Sequence, residues 1–280
     1  MSSEIHRTRA EIAVGAPAEA VYAALTDVLN WPLLYPWVAH TEIAWREGAK
    51  DRSRFWAVRP GAGESLRVWE SHRTLDDGAL RMDFEQQGTV GAITGLGGSW
   101  LFVPLPDGGC RVESHHWFTA DGDPQATVAE LDRHGALQMR TLKAAVESSA
   151  ERDRLTLRAT RSTVVPGPAE RVYAGLLEAV TGTPAGPGDT AEFVTTTDGR
   201  AVVIATAPHT VVVKQLEPPA GFDLYRTTWR MSEEPDGIRV TAERLAVARP
   251  EGLTDARRAE LLNSLGFLAE ADLPQGQFTS

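Results

Sequence analysis

The sequence is poor in cysteine and has no long apolar run, and each shortage excludes a class of protein. Its 280 residues contain one cysteine, Cys110, which excludes an intramolecular disulfide and a thiolate metal cluster. No run approaches the roughly 18 apolar residues of a membrane span, and residues 1–11 lack the apolar core of a secretory signal. These shortages predict a cytoplasmic protein with no membrane partner, no metal and no other cofactor.

Positive charge is also scarce. The formal net charge is -10, and a field of that sign repels phosphate polymers and anionic lipid surfaces, so nucleic acid is not expected as a partner. One stretch, residues 46–73, has seven basic residues against four acidic ones. An acidic partner could dock there, or the charges could decorate a solvated strand edge. The basic residues are Arg46, Lys50, Arg52, Arg54, Arg59, Arg67 and Arg73.

An internal repeat organises the chain. The sequence VGAPAEAVYA at residues 14–23 returns as VPGPAERVYA at residues 165–174, and WLFVPLPDGGCRV from Trp100 resembles WRMSEEPDGIRV from Trp229. The offset falls from 151 to 129 residues between these two pairs. We therefore predict two copies of one domain, 1–155 and 156–280, the second shortened and without counterparts of the Trp31-Pro32 stretch and of the strand RVWESHR.

Each copy shows the same succession of patterns. In the first, an alternating strand precedes a helix that begins after Pro17, and Pro32 and Pro36 limit the next segment to a short helix or turn. Six alternating runs then predict an antiparallel meander, and residues 124–150 predict a long amphipathic helix. The expected fold class is α+β, with a curved sheet around a helix and a cleft between them.

Polar residues in the strand LRVWESHRT could serve that cleft. The period of two places Trp69, Ser71 and Arg73 on one face and Glu70 and His72 on the other. If the first face looks inward, the cleft gains a ring, a hydroxyl and a permanent cation. The alternative is that Arg73 is an exposed strand residue paired with a carboxylate.

Alternation also separates the adjacent histidines of VESHHWF. His115 and His116 point to opposite sides, so they cannot ligate one metal, and His116 shares a face with Val112, Ser114 and Phe118. A neutral imidazole there could move protons near neutral pH. The alternative is a buried structural histidine.

Two further stretches bear on the cleft. The glycine-rich residues 88–98 match neither phosphate-loop motif, so we expect a mobile hairpin over the mouth of the cavity. The first copy also contains a set of aromatic residues that could form a stacking wall or part of an ordinary core. They are Trp31, Tyr35, Trp37, Trp56, Trp69 and Trp100.

Taken together, VGAPAEAVYAALTDVLNWP, RVWESHRT, Trp100 and the long closing helix resemble the aromatase/cyclases of bacterial type II polyketide synthases. That family has the START-like fold, also called Bet v 1-like or helix-grip, and the tandem arrangement is similar to its di-domain subgroup. The resemblance implies aldol cyclisation and dehydration of the first ring of a poly-β-ketone carried by an acyl carrier protein, in the synthesis of aromatic polyketide antibiotics. Other subunits of the synthase are further candidate partners.

The resemblance also assigns residues. Arg73 matches the arginine that anchors or polarises a ketone, and Ser71 matches the neighbouring hydroxyl. Trp31, Tyr35 and Trp100 match aromatic wall positions, and His116 and Gln138 match polar pocket side chains. With Trp69 from the strand pattern, the expected site has Arg73, Tyr35 and His116 as catalytic residues, and Trp31, Trp69, Ser71, Trp100 and Gln138 as substrate-binding residues.

Two departures from the family accompany this match. Val38 stands where the family has a second wall tyrosine, and the second copy lacks the arginine strand, so that copy is expected to be structural or to orient the substrate. The rival function is a noncatalytic carrier for a lipid or an aromatic product, because one fold serves both purposes. An inward Arg73 and His116 would favour the enzyme, and an apolar cavity would favour the carrier.

Overall fold

The structure is a computed structural model, and it describes residues 4–59, 65–89, 92–121, 124–184, 188–196, 199–251 and 253–271. The chain divides into two compact units, Met1–Ser149 and Ala150–Ser280. The sequence prediction placed the boundary between residues 155 and 156, which assigns the short helix Ser149–Leu155 to the first domain. Each unit has its own antiparallel sheet, as the α+β prediction requires.

The N-terminal domain follows the predicted order of elements. A seven-stranded sheet has the order β1-β7-β6-β5-β4-β3-β2, and a turn of 3-10 helix at Val28–Asn30 joins the first two helices. The elements are β1 His6–Val14, α1 Ala18–Thr26, α2 Trp31–Leu34, β2 Val38–Glu47, β3 Lys50–Val58, β4 Leu66–Asp76, β5 Arg81–Gln87, β6 Ile93–Pro104, β7 Cys110–Ala120 and α3 Pro124–Glu147.

The predicted long helix α3 closes this domain. Its buried residues Met139, Leu142 and Ala145 join the core cluster that also contains residues from α1 and from the sheet. We call the side of the sheet that faces α3 the inner face. Because α3 covers one side of the sheet, the strands hold their apolar residues on that face and their charged residues mostly on the other.

The C-terminal domain repeats this plan with fewer elements. Its six-stranded sheet has the order β8-β13-β12-β11-β10-β9, and its described residues include no counterpart of α2 or of β2. The elements are α4 Ser149–Leu155, β8 Thr156–Val165, α5 Ala169–Thr181, β9 Thr190–Thr196, β10 Gly199–Thr206, β11 Thr210–Gln215, β12 Phe222–Glu234, β13 Gly237–Ala248 and α6 Asp255–Ala271.

The glycine-rich stretch 88–98 differs from its prediction. Residues 90–91 lie outside the described residues, but from Ile93 onward the chain is strand β6, and β5, which ends at Gln87, pairs antiparallel with β6, which begins at Ile93, so the stretch does belong to a hairpin. Residues 93–98 are a strand within the sheet, so the prediction of a cover over the cavity mouth does not hold for them. The reason is an aromatic neighbour on β7: a Cβ added to Gly97 would lie 2.6 Å from the Trp117 ring. Glycine is required there because the indole lies against the strand backbone.

Candidate active site

An interior cavity of about 180 Å³ lies between the inner face of the N-terminal sheet and α3. All eight residues of the predicted site line it, and their chemical roles stay predictions. The predicted residues are Trp31, Tyr35, Trp69, Ser71, Arg73, Trp100, His116 and Gln138. Other residues that line the same cavity include Phe55, Ala57, Arg59, Arg67, Met82, Gln86, Leu96 and His134.

The two prolines of LNWPLLYPW position the first aromatic wall. Pro32 lies in the first turn of α2, where a missing N–H costs nothing, and Pro36 forces the preceding residue out of the helical region. Tyr35 is accordingly extended, with φ -118° and ψ 108°. This bend turns its ring towards Trp31, which packs edge-on at 5.1 Å between ring centroids.

Trp31 is held in place on its other side. Its indole N–H donates to the carbonyl oxygen of Leu25 at 2.8 Å, and its ring packs against Phe55 at 4.9 Å. Phe55 in turn stacks on Trp69, its direct cross-strand partner, at 5.0 Å and an interplanar angle of 9°. The wall is therefore a continuous set of rings from α2 to β4, of the kind that suits a flat conjugated ligand.

The hydroxyl of Tyr35 is the polar group of this wall. It is fully buried and has no hydrogen-bond partner of normal geometry among the described residues. Burial raises the pKa of Tyr35, and the nearby side chain of Gln138 opposes that shift. The phenol is thus neutral at physiological pH and available to donate a proton or a hydrogen bond to a ligand oxygen.

Strand β4 supplies the polar side of the cavity by simple alternation. Trp69, Ser71 and Arg73 all reach the cavity, whereas Val68 on the opposite face is 41% exposed. Ser71 and Arg73 are both buried, at 4% and 3% exposed. The inward face predicted from the spacing is the one observed.

Arg73 is buried and also paired. Its Nε and Nη2 donate to the two carboxylate oxygens of Asp51 at 2.8 and 2.6 Å, and its Nη1 donates to the carbonyl oxygen of Thr26 at 3.1 Å. Asp51 is the cross-strand partner of Arg73 on β3 and is itself 2% exposed. The alternative of an exposed Arg73 paired with a carboxylate is therefore right about the partner and wrong about the exposure, because the pair is buried on the inner face.

The pair fixes the charge of the deep end of the cavity. Burial raises the pKa of the Asp51 carboxyl, but the hydrogen bond and charge of Arg73, with Ser53 and Arg46, outweigh it and hold the pKa below its usual value. The carboxylate and the guanidinium are both ionised, and the carboxylate also pairs with Arg46, whose Nη2 lies 3.1 Å from it. Nη1 of Arg73 also donates to the Met82 sulfur at 3.8 Å, so of the five N–H donors of a guanidinium at most one remains for a substrate.

His116 lies on the inner face of β7, as alternation predicts. Its Nε2 is 2.9 Å from the Ser114 hydroxyl, and its ring packs edge-on against Phe84 at 5.3 Å and Trp100 at 6.0 Å. Burial, and secondarily the neighbouring His115, lowers the pKa of His116 to about 4. The ring is therefore a neutral imidazole at physiological pH, able both to accept and to donate a proton.

The end of the cavity at the start of β4 is more open. Arg59 and Glu130 form an ion pair there at 2.8 Å with side chains 44% and 43% exposed. Arg67 projects beside them, its guanidinium 4.8 Å from the centre of the Trp69 ring. Burial lowers the pKa of His134 on α3, and the charge of Arg67 adds to that shift.

The structure corrects the idea of one basic surface at residues 46–73. Arg73 is buried, Arg67 lines the cavity, and Arg46 and Arg59 have carboxylate partners in Asp51 and Glu130. The seven basic side chains lie on both faces of the sheet, because successive residues of a strand point to opposite faces. The local excess of charge in the sequence does not become a single docking patch.

The residues that the prediction missed include two charged ones that matter to the electrostatics of the site, and the sequence pattern of one of them could have indicated its place. The sequence alone could not assign Asp51 to the site, because its pairing with Arg73 depends on the register of β3 against β4. Arg67 could have been found: it lies two residues before Trp69 and therefore shares the inner face with Trp69, Ser71 and Arg73.

Two searches of the described residues gave negative results. No group of three or more His, Cys, Asp or Glu side chains there is placed to hold a metal ion. Among the same residues, no helix has the length and apolar character needed to span a bilayer.

Comparison with known proteins identifies the family of the chain. Residues 14–159 match the family model described as polyketide cyclase / dehydrase and lipid transport. The chain belongs to this family. It is 29% identical to the granaticin polyketide synthase bifunctional cyclase/dehydratase of Streptomyces violaceoruber, over 96% of this chain and 90% of that protein.

Solved structures support the two-domain fold of this family member. The di-domain ARO/CYC BexL from the BE-7585A biosynthetic pathway superposes with a TM-score of 0.75 and 26% identity, covering 96% of each chain. The di-domain ARO/CYC StfQ from the steffimycin biosynthetic pathway gives 0.77 with 21% identity over 95% of this chain and 96% of that chain. The predicted pair of helix-grip domains is confirmed.

Proposed function

We propose that the N-terminal domain is a polyketide aromatase/cyclase, which directs the aldol closure and dehydration of the first ring of a poly-β-ketone bound to an acyl carrier protein. The observation that carries the proposal is that Arg73, His116 and Tyr35 all line one aromatic-walled cavity. A carrier for lipids or finished aromatic products needs an apolar cavity, and buried polar groups in such a cavity would only cost binding energy.

Each polar group has a role that suits its environment. Arg73 is a fixed hydrogen-bond donor that polarises a ketone, because Asp51 prevents its guanidinium from moving. The neutral phenol of Tyr35 donates to a second oxygen. His116, bonded to Ser114, relays the proton that leaves with water during dehydration.

The remaining site residues hold the chain in one folded form. Trp31, Trp69 and Trp100 provide faces and edges for conjugated carbonyl groups, and Ser71 and Gln138 provide polar contacts. Closure between one pair of carbons requires those atoms to meet, so the shape of the cavity selects the ring. Gln138 lies on α3 and Ser71 on β4, so the substrate contacts both layers of the domain.

We propose the C-terminal domain as a structural or substrate-orienting unit. The acyl carrier protein is proposed as a partner because the granaticin relative is a polyketide synthase component by name.

Product profiling with a carrier-bound poly-β-ketone tests the proposal. The wild-type protein should give one cyclised aromatic product in place of the mixture that forms spontaneously. Tyr35→Phe should reduce the ratio of directed to spontaneous product at least tenfold, because loss of a proton donor costs about 100-fold or more in general acid catalysis. The Tyr35 hydroxyl has no protein partner of normal geometry among the described residues, so this variant should fold.

Tyr173→Phe is the matched control. Tyr173 is a second buried hydroxyl without a partner among the described residues, and it lies in the C-terminal domain. Its loss should leave the product ratio unchanged. A product mixture that is the same with and without wild-type protein would contradict the enzymatic proposal and favour the carrier.

A further inference from the structure

The two arginines on the inner face of β4 have different electrostatic environments. Arg73 is paired with a carboxylate, through its bidentate hydrogen bonds to Asp51. Arg67 has no carboxylate within hydrogen-bonding distance among the described residues: its Nη2 donates to the neutral side-chain oxygen of Gln86 at 2.8 Å, and its Nε is buried without a partner there.

The positions of the two arginines also differ. Six residues along a strand correspond to about 20 Å, so Arg67 and Arg73 lie towards opposite ends of the cavity. Arg73 is 3.8 Å from the Met82 sulfur at the deep end. Arg67 lies at the open end, opposite Ala57 on β3, whose small side chain leaves room beside the guanidinium.

Arg67 keeps its charge at this open end. Burial, and then the neighbouring Arg59, lowers the pKa of Arg67 to about 10, so the group is still protonated at neutral pH. Arg59 is itself paired with Glu130. The Trp69 ring beneath Arg67, with the guanidinium carbon 4.8 Å from its centre, keeps the guanidinium against the cavity wall.

We propose that Arg67 is a further substrate-binding residue, which holds an enolate oxygen of a 1,3-dicarbonyl unit at the open end of the cavity. The inference rests on the proposed function, since such units form the poly-β-ketone. A guanidinium without a carboxylate within hydrogen-bonding distance favours the anionic form of a ligand, whereas a guanidinium already paired with a carboxylate favours a neutral ketone. The cavity thus has an enolate site at Arg67 and a ketone site at Arg73.

A stable diketone tests this assignment without any turnover. Benzoylacetone is a 1,3-diketone whose enolate absorbs in the near ultraviolet, so its ionisation can be titrated in the presence of saturating protein. With wild-type protein we expect its apparent pKa to fall by about one unit relative to buffer, a tenfold shift in favour of the enolate. Arg67→Gln should abolish the shift, and Arg67→Lys should retain part of it.

Arg52→Gln is the matched control. It makes the same change of charge on the outer face of β3, where the Arg52 side chain is 47% exposed, and it should leave the shift intact. Thermal unfolding of each variant establishes that it is folded. An unchanged diketone pKa with wild-type protein, or a full shift in Arg67→Gln, would overturn the assignment.

The experiments distinguish a failure of the enzymatic proposal from a failure of the Arg67 assignment. If wild-type protein directs cyclisation but Arg67→Gln shifts the diketone pKa as wild type does, only the role of Arg67 is wrong. If the shift depends on Arg67 but wild-type protein leaves the product mixture unchanged, the enolate site stands and the enzymatic function does not.

Discussion

The two domains place different residues at the same positions of the same sheet. In the first domain, Trp100 on β6 pairs with Met82 on β5, and Met82 pairs with Leu75 on β4. Leu75 lies two residues after Arg73. In the second, Trp229 pairs with Val211, which pairs with Ala205, two residues after Val203. Val203 is therefore the counterpart of Arg73. The prediction that the second copy has no counterpart of the strand RVWESHR is wrong, because β10 lies in that place, with Val203 where the arginine would be.

The comparison extends to two other strands of each sheet. Asp51 pairs with Arg73, and Glu192 pairs with Val203, but Asp51 is buried and Glu192 is exposed. Towards the other edge of each sheet, Trp100 pairs with Ser114 and Trp229 pairs with Ala242. His116 and Arg244 each lie two residues after these partners, so Arg244 is the counterpart of His116. Arg244 donates to the hydroxyl of Tyr225 in the second domain.

The two domains share a fold but not the polar residues of the site. The sheet keeps its register while a buried ion pair and a titratable imidazole are replaced by valine, an exposed carboxylate and an arginine. An inner-face residue contributes to the core through its apolar area, whether or not it does chemistry. One domain can therefore lose a polar site without losing its architecture.

The largest expected effect comes from breaking the buried pair. Asp51→Ala leaves Arg73 buried without its counter-ion and should lower the free energy of unfolding of the N-terminal domain by about 3–5 kcal/mol. Urea denaturation followed by tryptophan fluorescence measures this, since Trp229 is the one tryptophan of eight outside that domain. Glu192→Ala, at the matching exposed position, should change the stability of the C-terminal domain by no more than about 0.5 kcal/mol, measured by urea denaturation with circular dichroism because that domain has one tryptophan. Equal losses in the two variants would contradict the comparison.

A smaller effect is expected at Gly98 on β6, which pairs with His116. A Cβ at Gly98 would lie 2.1 Å from the His115 carbonyl oxygen and 2.9 Å from the His116 ring. Gly98→Ala should therefore cost about 3 kcal/mol, the upper end of the range for overpacking, because backbone must move.

Gly135 offers the control for that substitution. It lies within α3 with nothing within 4 Å of an added Cβ, so Gly135→Ala should stabilise the domain by about 0.5–1 kcal/mol. Both changes are measured by urea denaturation. If Gly98→Ala proved neutral, close packing between β6 and β7 would not be what requires glycine there.

The third prediction concerns pH. The pKa of His116 is lowered to about 4, against about 6.5 when unfolded, so the unfolded chain binds more protons between these values. Stability is then present above pH 6.5 and is lost as the pH falls towards 4, by roughly 2 kcal/mol between pH 7 and pH 5 from this group. His116→Gln should remove that part of the pH dependence in urea denaturation. A pH dependence identical to that of wild type would exclude His116 as its source.

Much of the cavity could be predicted because strands alternate and prolines interrupt helices. The inward face of β4 follows from the spacing of Trp69, Ser71 and Arg73, and the extended Tyr35 follows from Pro36. Arg67 follows the same alternation, but the sequence prediction did not include it in the site. The glycines of β6 were misjudged because their requirement comes from Trp117 on another strand, 20 residues after Gly97 in the sequence.

The amino-acid order alone determined the repeated architecture, the shortening of the second copy and the side of each strand that carries polar groups, since these follow from local periodicity. Only the tertiary structure decided which of those groups are paired with a carboxylate. Such pairing depends on distances between strands, and the folded sheet sets the register that brings Asp51 to Arg73 and leaves Arg67 with no carboxylate within hydrogen-bonding distance among the described residues.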